Sequence, residues 1–243
     1  MKGRTFIVGC ALALALLVFA KRHQGAAPPP EFRAVVDLTH SLSGQARGSQ
    51  ARTMAASPSD HFATRLDAPA EFARGLWTID QIPSERLLAP LVVLDASAEA
   101  KANPDYQVSL EDIARWEEVN GAIPLNAVVM VRSGWDSRWN SAQDYRNADA
   151  NGVMHFPGYS EEAARFLVDA RNAMGIGIDT PSIDYGPSRD FPVHRYTLAH
   201  SLYQLENVAN LDRAPVRGGI VVVAPAKLEG GSDAPVRIFA LVR

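Results

Sequence analysis

The chain has 243 residues, 47% of them hydrophobic, which suffices for one compact domain with a substantial core and is short for two. A formal net charge of −3, with Lys and Arg scattered along the chain, leaves no basic footprint for nucleic acid. The one cysteine, Cys10, excludes a disulfide framework within the chain.

The N-terminus reads differently from the rest. Lys2 and Arg4 precede an apolar run from Phe6 to Ala20, and Lys21 and Arg22 follow it. That pattern predicts a signal peptide or N-terminal anchor over residues 1–22, and the run is shorter than the ~20 residues a spanning helix needs. Ile7-Val8-Gly9-Cys10 resembles a lipoprotein box, but most of the apolar run follows Cys10 rather than precedes it. Residues 23–31 carry Pro28-Pro29-Pro30 and read as a linker, which leaves 32–243 as the folded domain. The expectation is export to the periplasm or beyond, with membrane contact only through an uncleaved N-terminal segment.

From Glu31 onward, short apolar runs alternate with capped helical patterns. Ala34 to Leu38 reads as a strand, and the small, polar, Gly/Pro-punctuated stretch from Ser41 to Ser59 reads as a loop. His61 to Asp67 alternates like a strand, and Leu91 to Asp95 is a buried-type strand. Ser109 caps a helix to about Asn120, with Glu111 and Asp112 in its first turn. Ala127 to Ser133 is a strand; Ser160 caps a helix through Asn172, stopped by Gly175; Ile176 to Asp179 is a strand. Arg195 to Leu202 reads as helical, and Ile220 to Val223 and Val236 to Val242 as late strands. Interleaved strands and helices make the class α/β.

The chemistry gathers in two stretches. If His61 to Glu71 is extended, His61, Arg65, Asp67 and Glu71 point one way, placing an imidazole and two carboxylates on one face beside a turn at Pro69. Downstream, a helix-then-strand segment brings His194 back toward Glu206, twelve positions later. Imidazole and carboxylate donors suit zinc or manganese. From spacing alone, both clusters also read as solvated polar faces. Asp179 and Asp184 sit at a strand's carboxyl end and read first as turn carboxylates that bond backbone amides.

Together these stretches resemble the cyclase family, whose members include bacterial kynurenine formamidases and isatin hydrolases. His61 to Glu71 is similar to the signature His-x-Gly-Thr-His-x-Asp-x-Pro-x-His. Matching blocks follow in the family's order: Asp37-Leu38-Thr39-His40, Val131-Arg132-Ser133-Gly134-Trp135, His155-Phe156-Pro157-Gly158, Gly177 to Asp184, His194, Glu206 to Leu211, and Ala234 to Arg237. The resemblance implies the swivelling β/β/α fold as a single domain, usually in a homodimer or higher oligomer. It implies hydrolysis of an amide, N-formyl or cyclic amide bond of a small, aromatic substrate. By resemblance, His61, Asp67, His194 and Glu206 fall on metal-ligand positions. Arg65 stands where the family has a further ligand histidine, Glu71 where it has its catalytic histidine, and Ala63 where it has the glycine.

Those departures fall on the chemistry itself. A guanidinium stays protonated and cannot ligate a metal. The remaining donors suit one divalent ion, zinc or manganese, with Glu71 as catalytic base and with Arg65 and His155 toward the substrate. The alternative is a metal-free, catalytically inactive relative, in which Arg65 replaces the ion's charge and binds a small anionic or aromatic ligand.

Overall fold

The computed structural model describes residues 32–41 and 63–243. The expected signal segment (1–22), the linker (23–31), most of the Ser41 to Ser59 loop, and His61 lie outside the described residues. Arg33–Val242 forms one compact unit.

Along the chain, β1 is Ala34–Asp37, β2 Arg65–Asp67 and β3 Leu88–Asp95, followed by α1, Ser97–Ala102. Next come β4 (Gln107–Val108), α2 (Leu110–Asn120), β5 (Val128–Arg132) and α3 (Ala142–Arg146). The rest runs β6 (Gly158–Tyr159), α4 (Glu161–Asp169), β7 (Gly175–Ile178), α5 (Pro192–Ala199), β8 (Tyr203–Glu206), β9 (Arg217–Pro225) and β10 (Asp233–Val242).

The main sheet runs β1-β10-β2-β8-β7-β5-β3-β9, and β10 also pairs with β9. The first residues of β10 pair with β2, its last with β1, and its other edge with β9, so the sheet closes on itself into a barrel-like wall. Strands β3, β5, β7 and β8 are parallel neighbours, and α2, α4 and α5 lie in the connections between them, as parallel pairing requires. The alternation of side chains then builds two cores from the same strands. Leu91, Val93, Val128 and Met130 face the interior of the wall with Leu66, Leu205 and Ile238. Val92, Leu94, Val129 and Val131 face the other way and pack against Ile113 and Trp116 of α2 and Ala163 and Leu167 of α4. Burial on both faces is why these strands read as continuous apolar runs.

Local chemistry sets most element ends. Ser109 Oγ accepts from the Asp112 amide, and the Asp112 carboxylate accepts from the Ser109 amide, so α2 starts on a capping box. Ser160 caps α4 in the same position. Three expectations are corrected. Helix α4 ends at Asp169, not Asn172, because Asn172 takes a left-handed φ of 48° and Gly175 opens β7. Helix α5 spans Pro192–Ala199 rather than 195 to 202, because Pro192 pre-sets the first turn. The extended segment after Arg65 stops at Ala68, and Pro69–Glu71 turns as a 3-10 helix, so Glu71 reaches the strand's neighbours by a turn rather than by alternation.

Candidate metal centre

The adjacency of β2 and β8 brings the two chemical stretches together. Arg65 lies directly opposite Glu206, and Asp67 opposite Gln204, in an antiparallel pair. Arg65 and Asp67, two residues apart, share a face of β2. On the other side of β2, Asp67 lies opposite Asp233 of β10. Helix α5, in the connection between β7 and β8, delivers His194 to the same point.

Asp67, His194 and Glu206 are 2%, 5% and 1% exposed, so their charges must satisfy one another. His194 Nε2 lies 3.2 Å from Glu206 Oε1 and 3.8 Å from Asp67 Oδ2, and the ligand-type atoms of the three all fall within 4.8 Å of one another. The two carboxylates divide their oxygens. Asp67 Oδ1 accepts from Arg65 Nε at 3.0 Å, and Glu206 Oε2 lies 3.9 Å from the same nitrogen, so the other oxygens face the imidazole. Arg65 also donates to Asp233 at 2.9 Å and lies 3.9 Å from Glu71. Burial works against the Arg65 charge, but the surrounding carboxylates, Asp67 foremost, outweigh it and hold the guanidinium protonated.

The start of α5 and the orientation of its histidine share one partner. Phe191 offers no side-chain cap; instead the Asp184 carboxylate, from the preceding loop, accepts the Val193 and His194 amides at 3.1 Å each. The same carboxylate meets His194 Nδ1 at 2.6 Å, which turns Nε2 toward Asp67 and Glu206. Burial disfavours the imidazolium, yet contacts with Asp184, Asp67 and Glu206 raise the His194 pKa well above the ordinary range. A proton therefore sits where the imidazole faces two carboxylates. The donor set holds one positive charge at that point and suits a divalent cation in the proton's place.

The remaining candidates are distributed as follows. Glu71 stands at the edge of the cluster with Oε2 buried and without a hydrogen-bond partner. Burial, with Asp67 beside it, pushes its carboxyl up to about 9. His155 makes its contacts elsewhere: Nδ1 meets Asp105 at 2.9 Å and Nε2 lies 3.9 Å from Asp149, which raises its pKa. Asp179 is structural as expected, accepting the Ser133, Gly134 and Trp135 amides. His40 stacks on Trp139 at 3.9 Å, and burial lowers its pKa to about 4, so it is neutral. The sequence reading missed Asp233 as the counter-charge to Arg65, and for Asp184 it preferred a turn carboxylate to a place at the ligand site. The sequence signal for Asp184 was its place just before the His194 helix.

A family model described as putative cyclase matches residues 36–185. The isatin hydrolase of Roseibium aggregatum is 32% identical over 191 residues, covering 75% of this chain and 72% of that protein. The kynurenine formamidase of Salinibacter ruber is 28% identical over 181 residues, 74% of each chain. The solved structure of isatin hydrolase A from Labrenzia aggregata, bound to benzyl benzoate, superposes with a TM-score of 0.76 at 32% identity, covering 86% of this chain and 93% of that one. With the matched model covering more than half of the chain, and with a relative this similar, the chain belongs to the cyclase family.

Proposed function

We propose that the protein is a metal-dependent hydrolase that opens an amide bond, cyclic or N-formyl, in a small aromatic molecule. The observation that carries this reading is the convergence of His194 Nε2, Asp67 Oδ2 and Glu206 Oε1 in a buried setting. The relatives named isatin hydrolase and kynurenine formamidase supply the reaction class. His194, Asp67 and Glu206 would hold zinc or manganese, with His61 the fourth expected donor, and the ion would polarise the scissile carbonyl and acidify water. Asp184 keeps the Nδ1 proton engaged, so Nε2 is the atom presented to the site. Arg65 neutralises the outer carboxylate oxygens and leaves the inner ones to the cluster. Glu71 holds a proton at neutral pH that Oε2 can give to the departing nitrogen. Positive charge brought nearby favours its ionised form, so the same oxygen can first accept a proton from water.

A second reading rests on Arg65. Its guanidinium bonds Asp67 and Asp233 and lies near Glu71 and Glu206, which already compensates the acidic wall without an ion. One measurement separates the two. Purified protein should carry about one equivalent of zinc or manganese, and chelation should abolish hydrolysis of formamides or lactams, with activity returning on adding metal back. Protein that is metal-free as purified and inactive, but binds metal once Arg65→His and Glu71→His are combined, supports the second reading instead.

A further inference from the structure

An arginine beside a candidate metal ligand competes with the ion for that ligand, and the way Arg65 is held decides which of them wins. Guanidinium and carboxylate groups pair best as two forks, two nitrogens against two oxygens. Arg65 does not grip Asp67 that way. Its Nε and its Nη2 both lie on one oxygen, Oδ1, at 3.0 and 2.9 Å. Asp67 Oδ2 is left on the side of His194, whose Nε2 is 3.8 Å away. The Nη2 that lies on Oδ1 also donates to Asp233 Oδ2 at 2.9 Å. Asp233 opens β10 and stands directly opposite Asp67 in the β2–β10 register, so the guanidinium bridges two facing carboxylates that otherwise repel. The Asp67 side chain is 2% exposed, that of Arg65 10% and that of Asp233 41%. The buried carboxylate thus serves the cluster and the other reaches water, with the arginine between them.

We propose that Asp233 is a positioning residue for the metal centre: by drawing Nη2 toward β10 it holds Arg65 on Asp67 Oδ1 and keeps Oδ2 open to the ion. The proposal rests on the metal-binding part of the reading above and adds how a site with an arginine against one ligand still takes a cation. Without the Asp233 charge, the guanidinium has one carboxylate fewer to satisfy. A small rotation then turns its grip on Asp67 into the paired fork, which takes Oδ2 as well. The ion has to displace a bidentate, charge-assisted pair from a buried ligand, where such pairs are strong. Asp233 also sets a negative charge against the guanidinium, which offsets the repulsion between Arg65 and a divalent cation. Both effects act through Arg65, so Asp233 needs no contact with the ion.

The test strips the full chain of metal and titrates zinc or manganese in competition with a chromophoric chelator, alongside the Tm of the metal-free protein. Asp233→Asn keeps the shape of the side chain and removes its charge. It should weaken metal binding by about tenfold, the lower end of what losing a group bonded behind a metal ligand costs, and leave the metal-free Tm little changed. Asp233→Glu should recover most of that loss. In an Arg65→Gln background there is no guanidinium to hold back, and Asp233→Asn should change the affinity by less than about twofold. Equal affinities for wild type and Asp233→Asn overturn the proposal. A loss of the same size in the Arg65→Gln background also overturns it, because Asp233 then acts on the ion directly. If Arg65→Gln does not fold, the rescue decides: Asp233→Glu that binds no tighter than Asp233→Asn overturns the proposal. Wild-type protein that takes up neither metal removes the metal reading and this proposal together. Wild-type protein that binds metal, weakens as expected in Asp233→Asn and hydrolyses no formamide or lactam removes the hydrolase reading and leaves the role of Asp233 standing.

Discussion

A single carboxylate, Asp184, governs both the backbone and the ring of His194. It takes the first amides of α5, which no side chain of Phe191 can take, and it takes Nδ1 at 2.6 Å. A histidine whose second nitrogen is held by a carboxylate is oriented and made more basic, and loss of such a partner typically weakens metal binding 10–100-fold. Asp184→Ala should therefore weaken binding of zinc or manganese by about that factor, read by competition with a chromophoric chelator well below the variant's Tm. An unchanged affinity would leave Asp184 as a helix cap alone. The contrast with Asp67, His194 and Glu206 shows what a sequence displays at this scale. Those three are visible as donor types at family-matching positions, because the strand alternation and the helix-strand return are local patterns. Asp184 acts through a contact across a loop and shows in the sequence only as a carboxylate ahead of the His194 helix, and Asp233 meets Arg65 from 168 positions away, where no local pattern announces it.

Among the elements, β3, β5 and β7 were legible because burial on both faces makes them apolar nearly throughout, and α2 and α4 because their serine caps are local. The ends of α5 were not, since its cap comes from Asp184, outside the helix itself. The same region shows why one block of the family pattern ends in glycine. Gly158 in β6 runs so close to the loop carrying Asp184 that a Cβ there would overlap the backbone of Asp184 and Tyr185. The amide of Tyr159 also bonds Ile183 O, so the contact cannot simply open. Forcing an extra methyl into such packing costs roughly 1–3 kcal/mol. Gly158→Ala should lower Tm by roughly 2–10 °C for a chain of this size. Because the displaced loop holds Asp184, metal affinity should fall alongside it. A variant that melts like wild type would mean that the loop has slack, and that the positioning of His194 does not pass through β6.

For the whole molecule, the candidate ligands lie far apart in the chain and meet only through tertiary structure. Asp67 is on β2, Glu206 on β8 and His194 on α5, and β2 also borders β10, which closes the barrel-like wall. The unfolded chain has no such arrangement, so an ion bound here binds the folded state alone and its binding energy becomes folding energy. The ion-free fold already offsets part of the acidic repulsion through Arg65 and the proton on His194, which predicts that it folds without metal and gains stability with it. At an ion concentration about a hundred times Kd the gain is about 2.7 kcal/mol, equivalent to roughly 5–10 °C in Tm for a chain of this length. The gain must shrink as pH falls, because the ion displaces the His194 proton and competes with it on worse terms in acid. Thermal melts of chelated protein with added zinc or manganese, repeated at two pH values, check both parts. A Tm that ignores metal at every pH would mean that Arg65 has taken over the ion's structural role, and would favour the metal-free reading over the hydrolase.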